Sequence, residues 1–167
     1  HPCVDEKIVD AKKYCDFLVV LPHAGLEYFS LPLPEVRTLY RHFVTMGADA
    51  VIATHPHVPQ PWEIYRNKPI AYSLGNFCFD EESNMPLWNI GLMAFLQISD
   101  SGKVCMKILQ LHFDRKNRIV ELHDNPSINS QLHADMQTFN DEKLYMRIVN
   151  EHCISMESHY KMLLELS

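Results

Sequence analysis

The sharpest chemical feature of the sequence is His55-Pro56-His57, two imidazoles one residue apart at the end of a short apolar run. Neutral imidazole is the commonest metal donor, and two at this spacing can reach one cation or two adjacent ones. Pro56 fixes its own φ and lowers the entropy lost when the pair is ordered. His23 ends an earlier apolar run in the same way and is expected to face the same crevice. The alternative is that all three are ordinary solvated loop histidines, and spacing alone leaves that open. Glu27, four residues after His23, can orient a ligand imidazole, act as an acid or base, or sit solvated on its loop. Asn76, between Gly75 and Phe77, can offer its amide to substrate oxygens or pin its own loop by bonding to backbone, with Ser73 supporting that loop. His42, His112, His123, His133, His152 and His159 are scattered and read as solvated or packing residues. Asp80, Glu81 and Glu82 read as a solvated acidic face, while Trp62, Tyr65, Phe77 and Phe79 pack in the core or wall the pocket.

These side chains need elements to hold them. Asp5 is placed to cap a helix carrying Val4, Ile8, Ala11 and Cys15 at helical spacing. Residues 16–21 form a nearly continuous apolar run, as in a strand buried on both faces of a parallel sheet. Pro34 suits a first helical position, and Val36, Leu39, Tyr40, Phe43 and Val44 make one apolar stripe that Gly47 ends. Ala50 to Ala53 is a second buried strand. The alternation predicts an α/β unit with a parallel sheet, and ligands gather beyond the carboxyl ends of such strands, where both histidine loops fall. Further on, Trp62–Tyr65 and Ile70–Leu74 flank a turn at residues 66–69, and Ile90–Ser99 and Val104–Leu111 flank another at residues 100–103. Residues 118–122 add a strand. From about Asn129 the chain is helical, with Leu144, Ile148, Val149, Cys153, Met156, Tyr160, Leu163 and Leu164 in one stripe and a break at Asn140 or Asp141.

Of the 167 residues, 47% are hydrophobic and 22% charged, ordinary for a folded domain, and the net charge of −6 excludes a basic nucleic-acid surface. Five scattered cysteines without a CxxC pair read as reduced thiols. No apolar run reaches the ~18 residues of a membrane span. The opening His1-Pro2-Cys3, without an initiator Met, reads as a piece of a longer protein.

Four segments carry a family resemblance. Residues 17–27 (FLVVLPHAGLE), 47–58 (GADAVIATHPHV), 63–69 and 70–79 (IAYSLGNFCF) resemble, in order, a strand with His-x-Gly-x-Glu, a Gly-Ala-Asp strand with His-Pro-His, an E-x-Y hairpin and a Ser-Leu-Gly-Asn-Phe signature. Together these resemble the CapA-type capsule-synthesis (poly-gamma-glutamate) family of calcineurin-like metallophosphatase architecture. The resemblance implies an α/β (α+β) fold, the C-terminal half of an α/β/β/α sandwich with antiparallel hairpins and a C-terminal helix. Residues 1–125 would be the C-terminal part of that domain and 126–167 a helical tail. It implies His23, His55 and His57 as ligands of one or two divalent ions (Mn, Fe or Zn), with Glu27 and Asn76 near the substrate. That substrate would be a phosphoester or an acidic polymer. The family's Asp and Asn/His motifs lie upstream of this sequence, so the N-terminal half of the same domain is the expected partner. The small residue usually found before the paired histidines is Ala53 here, followed by Thr54, a mild departure. A non-catalytic polymer-binding or assembly module with a vestigial site is the competing expectation. The scattered thiols place the cytoplasm ahead of attachment to the cell envelope through an anchor outside this chain.

Overall fold

The computed structural model describes residues 2–79, 83–85 and 87–165, with side chains from residue 3 to residue 158 of these. The acidic run at residues 80–82 and the side chains of His159, Tyr160, Leu163 and Leu164 lie outside the described residues.

Helix α1 spans Pro2–Lys12. Asp5 does not cap it: Pro2 already occupies a helical position, so Asp5 falls inside the first turn and meets His42 (Nε2···Oδ1 3.1 Å). The helix stops before Cys15 because Lys13 and Tyr14 close a turn onto Asp10 and Ala11. Strand β1 is only Val19–Val20 and is half-buried rather than buried on both faces. Among the described residues it is the edge strand of its sheet, pairing with β2 (Ala50–Ile52) alone. Between them α2 (Pro34–Met46) starts on Pro34 and ends on Gly47, whose φ of 125° lets its N–H reach the Phe43 and Val44 carbonyls.

Strands β3 (Trp62–Tyr65) and β4 (Lys68–Ala71) complete the first sheet in the order β1-β2-β4-β3, with β1, β2 and β4 parallel and β3 antiparallel. β4 begins two residues earlier than the sequence pattern indicates. The turn needs only Arg66 and Asn67, both at positive φ (50° and 61°), and this primed geometry matches the strand twist. Lys68 and Pro69 are therefore free to pair with Tyr65 and Ile64.

The second sheet is a meander of β5 (Ile90–Ile98), β6 (Val104–Asp114) and β7 (Ile119–Leu122). Helix α3 (Pro126–Asn140) starts on Asn125, whose side chain accepts from the Ser127 and Ile128 N–H groups, a stronger start than Asn129 offers. α4 (Glu142–Glu165) follows after a break at Asp141, whose carboxylate caps the Lys143 and Leu144 amides.

The core lies between the first sheet and the helices. Tyr40, Phe43 and Val44 of α2 pack with Val51, Ile70, Tyr72, Phe139 and Tyr145. An aromatic ladder runs from Tyr40 to Tyr72 (5.7 Å), Phe139 (5.4 Å) and Tyr145 (5.7 Å), and the Arg37 guanidinium lies 4.2 Å from the Phe139 ring centre. The architecture is mixed α/β, with a largely parallel sheet and a separate antiparallel one.

Candidate metal centre

Both histidine loops leave the carboxyl ends of neighbouring parallel strands, and the pairing continues into them. His23 bridges Thr54, the Ala24 N–H donates to the Thr54 carbonyl (3.2 Å), and the Thr54 N–H donates to Pro22 (3.0 Å). Tyr28 N–H reaches the Pro56 carbonyl at 2.8 Å. These bonds hold an unusual backbone: His55 and His57 sit at φ 106° and 61°, and Tyr28 at 62°. Each such non-glycine residue costs about 1–2 kcal/mol, strain that persists only where the surroundings over-determine it. Gly25 is needed beside them, since a Cβ there would lie 2.9 Å from Pro56 Cγ.

Glu27, His55 and His57 converge, each offering a donor atom within 4.8 Å of the others. Glu27 Oε1 stands 3.9 Å from His55 Nε2, too long for a hydrogen bond and open enough for both to face one cation. His23 lies alongside, its ring centre 4.9 Å from that of His55, with Nδ1 3.0 Å from Thr54 Oγ1. Thus the converging trio has Glu27 where the resemblance implied His23. Thr54, the departure from the family pattern, is the residue that holds His23.

Asn76 is buried, and its amide is engaged at both ends. Nδ2 donates to the Trp88 carbonyl (2.9 Å), which turns Oδ1 toward His57 Nδ1 (2.9 Å). Because that oxygen can only accept, Nδ1 of His57 must carry the proton, and a neutral ring then presents a free lone pair at Nε2. Of the two roles open to Asn76 in the sequence, the structure displays the pinning one, and through it a hold on the His57 imidazole. Ser73 Oγ accepts from Gly75 N–H (3.1 Å) and steadies the same loop. Around His57 stand Tyr28 (6.0 Å, stacked), Trp88 (5.6 Å) and Phe79 (5.3 Å, edge-on). Phe79 therefore walls the site, whereas Phe77 is exposed. Sequence reasoning missed Tyr28 and Trp88; the usable signal for Tyr28 was its place directly after Glu27.

Other polar residues of the resembling segments brace the loops from a distance. Asp49 binds Lys12 and Lys68, both at 2.6 Å, and accepts from the Leu18 N–H at 2.8 Å. Glu63 takes a bidentate pair from Arg41 (2.8 and 2.6 Å) and the Tyr72 hydroxyl at 2.5 Å. Burial alone would raise both carboxyls. The lysines at Asp49, and Arg41 with Tyr72 at Glu63, outweigh it and hold both below the ordinary carboxylate range.

His23, Glu27, His55, His57 and Asn76 all fall inside a stretch that matches a family model. Residues 2–81 match the family model described as bacterial capsule synthesis protein PGA_cap. Over this stretch the chain is similar to the CapA-type capsule-synthesis family. It is 46% identical over 74 residues to the PGA biosynthesis protein CapA of Bacillus subtilis, covering 44% of this chain and 20% of that protein. It is 29% identical over 156 residues to the capsule biosynthesis protein CapA of Bacillus anthracis, covering 89% of this chain and 38% of the relative. The matched stretches are thus about a fifth and two-fifths of these relatives' lengths. All five cysteines are free thiols, and no described helix is long and apolar enough to cross a membrane.

Proposed function

We propose that this chain carries one side of a divalent-metal site in a hydrolase-like capsule-synthesis protein, with His55, His57 and Glu27 as ligands and His23 beside them. The observation that supports it is the convergence of those three donor atoms on one point, with the His57 tautomer set by Asn76. Two nitrogens and a carboxylate suit manganese, iron or zinc. A bound ion of this kind polarises a phosphoryl-like oxygen and lowers the pKa of water.

The chain's own residues divide the remaining work. Asn76 holds the His57 ring, and the rings of Tyr28, Trp88 and Phe79 screen it from bulk water. Glu27, exposed at the mouth, takes or returns a proton when it is not a ligand. Further carboxylates come, on this reading, from the N-terminal half of the same domain, and the substrate is a phosphoester or an acidic polymer such as poly-gamma-glutamate. Work at the cell envelope through an anchor elsewhere in the protein stands beside a cytoplasmic location.

One observation favours a second reading. Glu27 is the sole carboxylate in the converging trio among the described residues, and it is not tied down by a hydrogen bond to His55. A metal held this way can grip an anionic polymer without cleaving it. Hydrolysis of p-nitrophenyl phosphate by the manganese-loaded protein separates the two. Turnover that falls at least tenfold in Glu27→Gln supports the enzyme, whereas saturable phosphate binding without turnover selects the binding module.

A further inference from the structure

Next to the histidine loops lies a cavity of about 540 Å³ that the proposed chemistry does not use. It adjoins the site through two residues. Tyr28, which stacks on His57, and Val58, which follows it, both line the cavity. Phe29 and Ile128 add apolar walls, and the His152 ring lies flat on Phe29 (4.1 Å, 11° between planes). The volume falls within the usual range for a small-ligand site.

The polar groups have a direction. Ser30 Oγ and Gln131 Nε2 line the cavity, and both donate to Asp135 Oδ1 behind it, at 3.2 and 3.1 Å. The Ser30 proton is thereby engaged, leaving its lone pairs and the Gln131 carbonyl oxygen as acceptors, beside the second Gln131 Nε2 hydrogen and the Ser127 hydroxyl as donors. Asp135 is buried, with Oδ2 unpartnered among the described residues. No Lys or Arg is among the described lining residues. A buried carboxyl behind these groups, with no lysine or arginine among the described residues beside them, disfavours carboxylates and phosphates and suits ligand O–H groups, while the exposed part of the Tyr28 ring suits the C–H face of a sugar ring.

We propose that this cavity is a subsite for an uncharged, hydroxyl-rich glycosyl unit attached to the anionic group handled at His55 and His57. The inference rests on the reading above for the position of the anionic group, but the cavity can be tested apart from it.

The manganese-loaded chain is titrated with inorganic phosphate, glucose 1-phosphate and tetraglutamate. Glucose 1-phosphate is expected to bind about tenfold more tightly than inorganic phosphate. Gln131→Leu and Ser30→Ala should each bring that ratio close to one while leaving the affinity for inorganic phosphate unchanged. A ratio near one in the unaltered chain, or tetraglutamate as the tightest of the three, overturns the proposal. In parallel, methyl glucoside is added to the His55→Ala/His57→Ala variant and followed by amide NMR. Shifts at Ser30 and Gln131 uphold the subsite even if phosphate never binds, which would defeat the metal reading alone. Absence of those shifts overturns the subsite whatever phosphate does.

Discussion

Residues 2–79 and residues 87–165 hold their shape by different means. The first region has parallel strands of two to four residues, too short to be held by their ladders alone, and it is cross-braced by Asp49 with Lys12 and Lys68 and by Glu63 with Arg41 and Tyr72. The second region relies on long antiparallel ladders, nine residues in β5 and eleven in β6, and it leaves Phe95 and Leu122 more than half exposed. The strained histidine loops belong to the braced region. A side chain at an unfavourable φ keeps one geometry only if the surrounding backbone cannot relax, and directional polar contacts supply that rigidity better than apolar burial. The two regions share the apolar core, where Tyr72 packs on Phe139, and their backbones join at a seam: Gly75 bridges Gly91, Leu92 N–H donates to the Leu74 carbonyl at 2.7 Å, and the Asn76 amide donates to the Trp88 carbonyl.

Breaking the seam should have the largest effect. A Cβ at Gly91 would collide with the Asn76 carbonyl oxygen, and backbone must move on one side or the other. Gly91→Ala should lower stability by about 3 kcal/mol in urea unfolding and weaken metal binding through Asn76. An unfolding midpoint equal to that of the unaltered chain would show that the seam is soft.

Removing a brace comes next. Glu63→Ala leaves Arg41 and the buried Tyr72 hydroxyl without their partner and should cost about 2 kcal/mol, less than a fully buried pair because part of Arg41 faces solvent. The pH dependence has a fixed sign. Glu63 and Asp49 titrate below their unfolded values, so their contribution is complete above the ordinary carboxylate pKa of ~4 and is lost as pH falls through the lowered folded value. Acid unfolding of Glu63→Ala should therefore be shallower than that of the unaltered chain.

A smaller and more local effect belongs to Asn76. Asn76→Ala should weaken metal affinity about 10- to 100-fold by freeing the His57 ring, and Asn76→Asp should recover part of the loss because a carboxylate still accepts from Nδ1. Calorimetric metal titration reads both. Equal losses in the two variants would mean that the loop, not the tautomer, is what Asn76 supplies.

The smallest effect sharpens the contrast from the other side. Burial pushes Asp135 up, against the hydrogen bonds from Gln131 and Ser30. Its contribution is thus fullest below the ordinary aspartate value and declines as pH rises toward the raised folded one. Asp135→Asn should gain about 1 kcal/mol at neutral pH and flatten the profile there. A loss at every pH would show that the carboxylate is wanted as an anion.

Much of this was legible in the sequence where the signal is local. Pro34 and Gly47 mark the bounds of α2, the apolar runs give β2, and turn residues give the hairpins, because each depends on its own neighbours. β1 reads as fully buried since an apolar run cannot show that its strand lies at a sheet edge. The candidate site was visible as His55, His57, His23, Glu27 and Asn76, but not which three converge, which depends on loop backbone at positive φ. Trp88 and the Arg41–Glu63 brace were hidden, since each joins segments far apart in the chain. Asn76 could be read two ways until both ends of its amide were seen engaged.

The central claim is that His55 and His57, aimed by this braced backbone, hold a metal ion. Its most direct test is metal content by plasma mass spectrometry of the purified protein, unaltered and as His55→Ala/His57→Ala, both checked for folding by circular dichroism. The account predicts near-stoichiometric manganese, iron or zinc in the unaltered protein and its loss in the folded double variant. Equal metal in both, or none in the unaltered protein even after incubation with each ion, would contradict it.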